Sequence, residues 1–144
     1  MAPLGMKIVL SGVDAGAWSL VALQVILERE GHVVCVAADV LAACRREQPD
    51  CLVLSTVFGA SGVDVLLRVR ADPGLGGLPV VIGGRLPGTR ADLLDLGYDD
   101  AFPVAATDPG GAVAALRAYL VRQSRRSMIV ALARPPASHI VCRP

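Results

Sequence analysis

The chain has 144 residues, of which 53% are hydrophobic and 19% are charged, and its formal net charge is +1. That length suits one globular domain, and so apolar a composition excludes an intrinsically disordered chain. Near-neutral charge and an aromatic content of 3% argue against nucleic acid as a partner. No uncharged stretch reaches the roughly 20 apolar residues of a membrane span, and the first residues do not resemble a signal peptide. We therefore expect a cytoplasmic protein that has no membrane partner.

Short apolar runs alternate along the chain with segments of helical spacing. Unbroken β-branched runs are typical of strands that are buried on both faces. Because the connections are too long for hairpins, the pattern predicts a flavodoxin-like α/β domain with a doubly wound, five-stranded parallel sheet. The predicted elements, in chain order, are Lys7 to Ser11, Trp18 to Glu30, Val33 to Ala37, Val40 to Glu47, Cys51 to Ser55, Val63 to Arg70, Pro79 to Ile82, Arg90 to Leu96, Ala101 to Pro103 and Gly111 to Arg122.

The composition changes after the last predicted helix. A polar, basic stretch is followed by the apolar run Met128 to Ala133, and Pro135 and Pro136 then break any helix. We therefore divide the chain into an α/β domain, residues 1–126, and a C-terminal tail, residues 127–144, that packs on the domain or binds a partner.

The four cysteines are widely spaced and include no close CxxC pair. This spacing does not fit a zinc site or a disulfide framework. It favours reduced thiols that pack as small hydrophobic side chains.

The carboxyl ends of the predicted strands are the expected place for a ligand. In open α/β sheets, ligands bind beyond these ends, where the strand order reverses. The loops that this rule selects are rich in glycine, which lets a ligand approach the backbone closely. A tight turn would explain any single glycine, but the glycines of the four loops together indicate a binding site. The four loops are Gly12 to Ala17, Thr56 to Gly62, Gly83 to Thr89 and Val104 to Gly110.

Phosphoacceptor receiver domains are one class of small flavodoxin-like protein. A receiver needs an acidic pair after the first strand to hold magnesium, and an aspartate at the end of the third strand to accept the phosphoryl group. Here the first loop offers only Asp14, and Ser55 and Thr56 occupy the end of the third strand. The sequence therefore argues against receiver chemistry. The phosphate-binding patterns GxxxxGK[ST] and GxGxxG are also missing.

Cobalamin-binding domains are a second class. The segments KIVLSGVD, EGHVV, PDCLVLSTVFG, PVVIGGR and LGYDDAF occur in the order and spacing of that class. Over roughly Met6 to Leu120, the chain resembles the small, cobalamin-binding subunit of adenosylcobalamin-dependent carbon-skeleton mutases, and glutamate mutase (methylaspartate mutase) most of all. The resemblance implies the same flavodoxin-like fold.

The resemblance also implies roles for the loop residues. In that family the first loop carries Asp-x-His-x-x-Gly, whose histidine ligates cobalt and whose aspartate binds the other ring nitrogen. The motif falls on Asp14, Ala15 and Gly16, so the histidine is replaced by glycine and no residue is expected to ligate a metal. The other residues implied to contact the cofactor are Ser55, Thr56, Phe58, Gly59, Gly83, Gly84 and Arg85.

Two functions follow from this resemblance. The first is a mutase (isomerase) subunit that binds adenosylcobalamin without histidine ligation and is active only with a larger, barrel-type partner subunit. The second is a degenerate, non-catalytic binding or scaffolding subunit of such a complex, with no cofactor. Retention of Asp14, Ser55 and the glycine pair favours the first. The sequence leaves open whether the chain is an enzyme and whether it forms a homo-oligomer.

Overall fold

The computed structural model describes residues 5–12, 19–56, 62–86, 88–104 and 110–133. Within these ranges, strands and helices alternate from one end of the chain to the other. Their bounds are β1 Lys7–Gly12, α1 Ser19–Arg29, β2 Val33–Val36, α2 Val40–Glu47, β3 Cys51–Thr56, α3 Gly62–Ala71, β4 Val80–Gly84, α4 Arg90–Leu96, β5 Asp100–Pro103 and α5 Gly111–Ala133.

The described strands form one sheet in the order β2-β1-β3-β4-β5, and all neighbours are parallel. Leu10 of β1 lies opposite Val36 on one side and Val53 on the other. The strand order therefore reverses between β1 and β3. This architecture confirms the predicted flavodoxin-like fold, which follows from apolar strands that need cover on both faces.

Each face of the sheet carries its own hydrophobic core. Val9, Leu52 and Ile82 belong to the core on the side of α2, α3 and α4. Ile8 and Val53 belong to the core on the side of α1 and α5. Alternate residues of a strand point to opposite faces, so a single apolar run supplies both cores.

Side-chain caps determine where two of the helices begin. The carboxylate of Asp39 accepts a hydrogen bond from the Ala42 N–H at the start of α2, at 3.1 Å. Thr89 and Asp92 form a reciprocal capping box at the start of α4. Helix α4 ends at Gly97, whose φ of 117° is readily accessible to glycine. These caps keep the connections short, so each strand end is held close to the next helix.

The last helix is longer than the sequence pattern predicts. The spacing indicates an end near Arg122, whereas α5 continues to Ala133. The added residues are mostly good helix formers, and no glycine or proline interrupts them. Residues 127–133 of the predicted tail therefore continue α5, and residues 134–144 lie outside the described part of the chain. None of the described helices is long and apolar enough to cross a membrane.

Arg70, near the end of α3, ties three parts of the fold together. Its guanidinium donates to the carbonyl oxygens of Leu78 at 2.6 Å and Gly97 at 2.9 Å, and to Oδ2 of Asp99 at 2.7 Å. The same Oδ2 accepts a hydrogen bond from the Val80 N–H at 2.7 Å. One side chain thus connects α3 to the entry of β4 and to the turn that precedes β5.

His32 forms a second long-range contact, at the amino-terminal edge of the sheet. Its Nδ1 accepts a hydrogen bond from the Met6 N–H at 3.0 Å, and the ring is buried. Nδ1 can accept only when the imidazole is neutral. Burial lowers the pKa of His32 below its usual 6.5, and the carboxylate of Glu30 opposes this shift. His32 therefore lies at the edge of the sheet opposite the carboxyl ends of the strands.

We expect the free energy of unfolding to fall as the pH drops below about 6.5. The unfolded chain binds a proton at His32 more readily than the folded chain, so acid favours unfolding. Above pH 6.5 this contribution is fully present, and it is lost as the pH falls toward the lower pKa of the folded state. Urea unfolding between pH 5 and pH 7.5 measures the slope, and His32→Asn is expected to flatten it.

His139→Gln is the control for that experiment, because it removes the other histidine of the sequence. An unchanged slope in His32→Asn would show that other groups cause the pH dependence.

Candidate functional site

The carboxyl ends of β1, β3 and β4 form a continuous edge of small residues. Gly12 lies opposite Ser55, and Ser55 lies opposite Gly83. In the next row, Thr56 lies opposite Gly84. The parallel sheet thus brings together residues from three separate strands, at the edge that the sequence analysis selected.

Gly84 is held in a conformation that excludes other residues. Its φ is +121°, and a Cβ at this position would lie 2.0 Å from the carbonyl oxygen of Thr56. The same carbonyl oxygen accepts from the Arg85 N–H at 3.2 Å, and the Gly84 carbonyl accepts from the Val104 N–H at 2.9 Å. The edge is therefore joined across β3, β4 and β5 by backbone contacts that require glycine.

Hydroxyl groups are the polar side chains of this edge. Ser11 Oγ donates to the carbonyl oxygen of Ala37 at 2.7 Å, which joins the end of β1 to the end of β2. Ser55 and Thr56 are both buried, and Arg85 is exposed beside them. Within the described residues, the ends of β1, β3 and β4 therefore present hydroxyls and peptide groups, and no carboxylate.

Half of the residues proposed to contact a cofactor lie in the described part of the chain. Ser55, Thr56, Gly83, Gly84 and Arg85 all lie at this one edge. Their assignment to ligand binding stays a prediction. The others, Asp14, Ala15, Gly16, Phe58 and Gly59, fall outside the described residues.

A groove beside β5 was not expected from the sequence. Its volume is about 470 Å³, and it lies between β5, the start of α4 and α5. Asp100 is buried at its edge, and its Oδ1 accepts from Nε of Arg90 at 2.7 Å and from the Ala101 N–H at 2.8 Å. The sequence gives no signal for the pair of Asp100 and Arg90. Asp99 and Asp100 are adjacent carboxylates that the sequence does not distinguish, although Asp99 is exposed and Asp100 is buried.

Comparison with known proteins gives neighbours in structure only. No family model matches the chain, and no curated protein matches its sequence. A response regulator receiver domain from Methanoculleus marisnigri JR1 is 20% identical, with a TM-score of 0.58, and the match covers 90% of this chain and 98% of that one. The receiver domain of a sensor histidine kinase from Pseudomonas aeruginosa PAO1, solved with magnesium in its active-site cleft, is 21% identical, with a TM-score of 0.62 and coverage of 83% and 98%.

Longer proteins also contain the matching fold. NtrX from Brucella abortus is 20% identical, with a TM-score of 0.65. The match covers 90% of this chain and 30% of NtrX. At these identities the comparisons show that the chain shares the flavodoxin-like fold of receiver domains.

These neighbours overturn the resemblance to cobalamin-binding proteins. The solved structures that match include response regulators and the receiver domain of a sensor kinase, so the assignment to the cobalamin-binding family is wrong. The mutase or isomerase function, the scaffolding alternative within such a complex, and the larger barrel-type partner subunit are wrong with it. Adenosylcobalamin is withdrawn as the cofactor.

The error has a physical cause. The segments that carried the resemblance are buried strands and the turns that follow them, as in PDCLVLSTVFG and PVVIGGR. Any doubly wound sheet needs apolar strands and tight turns at these places. The segments therefore identify the fold and do not distinguish its families.

The kinase receiver domain holds magnesium, so the side chains at this edge can be compared with the ligands that Mg²⁺ needs. Mg²⁺ binds hard oxygen ligands and is usually held in proteins by one or two carboxylates. The described edge offers hydroxyls, and that of Ser11 already donates to Ala37. Within the described residues no three potential ligands among His, Cys, Asp and Glu lie close together. The described residues do not fit a magnesium site of this kind.

Proposed function

We propose that the chain is a receiver-type signalling domain that acts through protein contacts and does not accept a phosphoryl group. The receiver fold of its structural neighbours supports the first part. The residues at the end of β3 support the second part, that the chain does not accept a phosphoryl group. From Cys51 to Val63 the sequence has no Asp, Glu or His, so no carboxylate follows the third strand where a receiver places its acceptor.

The groups at this edge support the same conclusion. Ser55 and Thr56 are buried, and their hydroxyls differ from the carboxylate that a receiver uses as its acceptor. The neighbouring positions in β4 are Gly83 and Gly84, which bring no acid or base. Within the described residues, this edge therefore presents no carboxylate that could act as an acceptor.

The proposed partners are a sensor kinase or an effector domain. The structural neighbours include a receiver domain of a sensor histidine kinase, and NtrX, of which the match covers 30%. We further propose the cytoplasm as the compartment. Residues 127–144 remain the proposed packing or partner-binding segment, whose first part continues α5.

Incubation with acetyl phosphate and Mg²⁺, followed by intact mass spectrometry, tests the proposal directly. We expect no phosphoryl group on the chain, whereas a receiver with an acceptor aspartate gains one under the same conditions. Stoichiometric, base-labile incorporation on this chain would overturn the proposal.

Partner binding provides the second measurement. The chain is titrated with sensor-kinase dimerisation domains and with response-regulator effector domains, with and without acetyl phosphate. We expect at least one partner to bind with a dissociation constant that does not depend on the phosphodonor. Binding that requires the phosphodonor, or binding to none of these domains, would contradict a contact function.

A further inference from the structure

Two thiols lie on the same side of the sheet, one on β2 and one on α2. Cys44 of α2 is fully buried in the core on the α2, α3 and α4 side of the sheet, and Cys35 of β2 packs against that same core. Cys35 is half-buried, because β2 is the edge strand of the sheet. Cys51, by contrast, belongs to the core on the opposite face. The first two thiols thus share one side of the fold, and Cys35 has access to solvent.

A guanidinium group lies against the accessible thiol. Nη2 of Arg46 is 3.9 Å from Sγ of Cys35. Nε of the same guanidinium donates to Glu47 at 2.8 Å, and Glu47 also pairs with Nζ of Lys7 at 3.0 Å. These contacts orient Arg46 so that it supplies a counter-charge to a thiolate at Cys35.

The two fully buried thiols, Cys44 and Cys51, ionise with difficulty. Burial raises the pKa of Cys44 to about 11, and the charge of Cys35 adds to this rise. Burial also raises the pKa of Cys51 well above its usual range. Since the thiolate is the reactive form, Cys44 and Cys51 are poor first nucleophiles at neutral pH. Cys35 is then the thiol of the described residues that meets a dissolved oxidant first.

We propose that Cys35 and Cys44 form an oxidant-sensitive pair, in which a hydroperoxide oxidises Cys35 and Cys44 then closes a disulfide between β2 and α2. In the first step the Cys35 thiolate attacks a peroxide oxygen, an S–O bond forms and the O–O bond breaks. The leaving oxygen takes a proton from water. In the second step Cys44 releases its proton to solvent, its sulfur attacks the Cys35 sulfur, and hydroxide leaves and is protonated to water.

The atoms and electrons of this reaction balance when hydrogen peroxide is the oxidant. Two thiols lose two electrons, and one peroxide is reduced to two molecules of water. The chemistry does not depend on the proposed signalling function, so the two proposals succeed or fail separately. Its structural effect is a covalent link between β2, at one edge of the sheet, and helix α2.

Peptide mapping of the full-length chain after exposure to hydrogen peroxide tests the proposal. Free thiols are blocked with N-ethylmaleimide and the unfolded chain is digested with trypsin, which leaves Cys35 and Cys44 in the single peptide Glu30 to Arg45. We expect this peptide to become lighter by two hydrogen atoms and to carry no maleimide. The Cys51 peptide, Glu47 to Arg68, is expected to stay reduced.

Variants separate the two steps. Cys44→Ala is expected to trap a sulfenic acid at Cys35 that reacts with dimedone, and Cys35→Ser to abolish the disulfide. Arg46→Gln is expected to slow disulfide formation severalfold, because it removes the guanidinium that lies 3.9 Å from Sγ of Cys35. Arg45→Gln is the matched control, because Arg45 pairs with Asp72 and does not contact Cys35.

Other peptide maps would overturn the proposal. These are first oxidation at Cys51 or Cys142, a disulfide between two chains, and over-oxidation of Cys35 in the wild-type chain without a link to Cys44. The wild-type map decides these outcomes even if a variant fails to fold.

Discussion

Gly84→Ala is expected to lower the free energy of unfolding by about 3 to 5 kcal/mol. Two costs add at this position. The backbone has a φ of +121°, which L side chains rarely adopt, and the new Cβ would lie 2.0 Å from the Thr56 carbonyl oxygen. That carbonyl also accepts the Arg85 N–H, so it cannot move without loss of a contact between β3 and β4. Urea denaturation followed by circular dichroism measures the change.

Gly83→Ala is the matched control, one residue earlier on the same strand. Its added Cβ would lie 3.6 Å from the nearest atom, the Phe102 carbonyl oxygen, which is ordinary van der Waals contact. We expect a change within about 1 kcal/mol, because alanine also restricts the unfolded chain. Equal losses in the two variants would show that the Thr56 contact and the positive φ are not the cause.

Arg70→Met is expected to cost about 2 to 3 kcal/mol of unfolding free energy. The substitution removes three hydrogen bonds from the guanidinium and leaves the Leu78 and Gly97 carbonyls without this donor. Methionine keeps an apolar side chain of similar length, so the loss of unfolding free energy measures the polar contacts of Arg70. We do not expect a larger effect, since the side chains of Arg70 and Asp99 are 29% and 41% exposed and water screens their charges.

Arg68→Met, on the same helix, is the control. Arg68 pairs with Asp64 at 3.2 Å, and these two side chains are 65% and 70% exposed. We expect a loss of no more than about 0.5 kcal/mol. A double-mutant cycle of Arg70 with Asp99 then isolates their interaction. If Arg70→Met costs no more than Arg68→Met, the three contacts do not stabilise the fold.

The fold could be predicted because its signals are local. The run Cys51 to Ser55 is apolar throughout, as a strand covered on both faces requires, and the structure places β3 at Cys51–Thr56 in the centre of the sheet. Asp39 and Thr89 cap helices within a few residues of their own positions. The spacing predicts the end of α5 too early, because a polar, basic stretch resembles a boundary although most of its residues are good helix formers.

The family could not be predicted in the same way. The segments that resemble cobalamin-binding proteins are buried strands and turns that any doubly wound sheet needs. They therefore do not distinguish one family of this fold from another, and the solved neighbours include receiver domains. The chemistry of the third strand was nevertheless evident from the sequence. Ser55 and Thr56 occupy the end of the third strand, where a receiver carries its acceptor aspartate, and this observation supports the proposed function.

By itself, the sequence determined the alternation of strands and helices, the buried faces, the edge at which a site would lie and the absence of an acceptor after β3. These features depend on composition and on spacing within a few residues. Only the tertiary structure decided that Gly84 must be glycine, that Arg70 joins three parts of the fold, and that Arg46 lies against Cys35. Each of these depends on atoms far apart in the chain, and their positions follow from strand order and register, which local patterns do not encode.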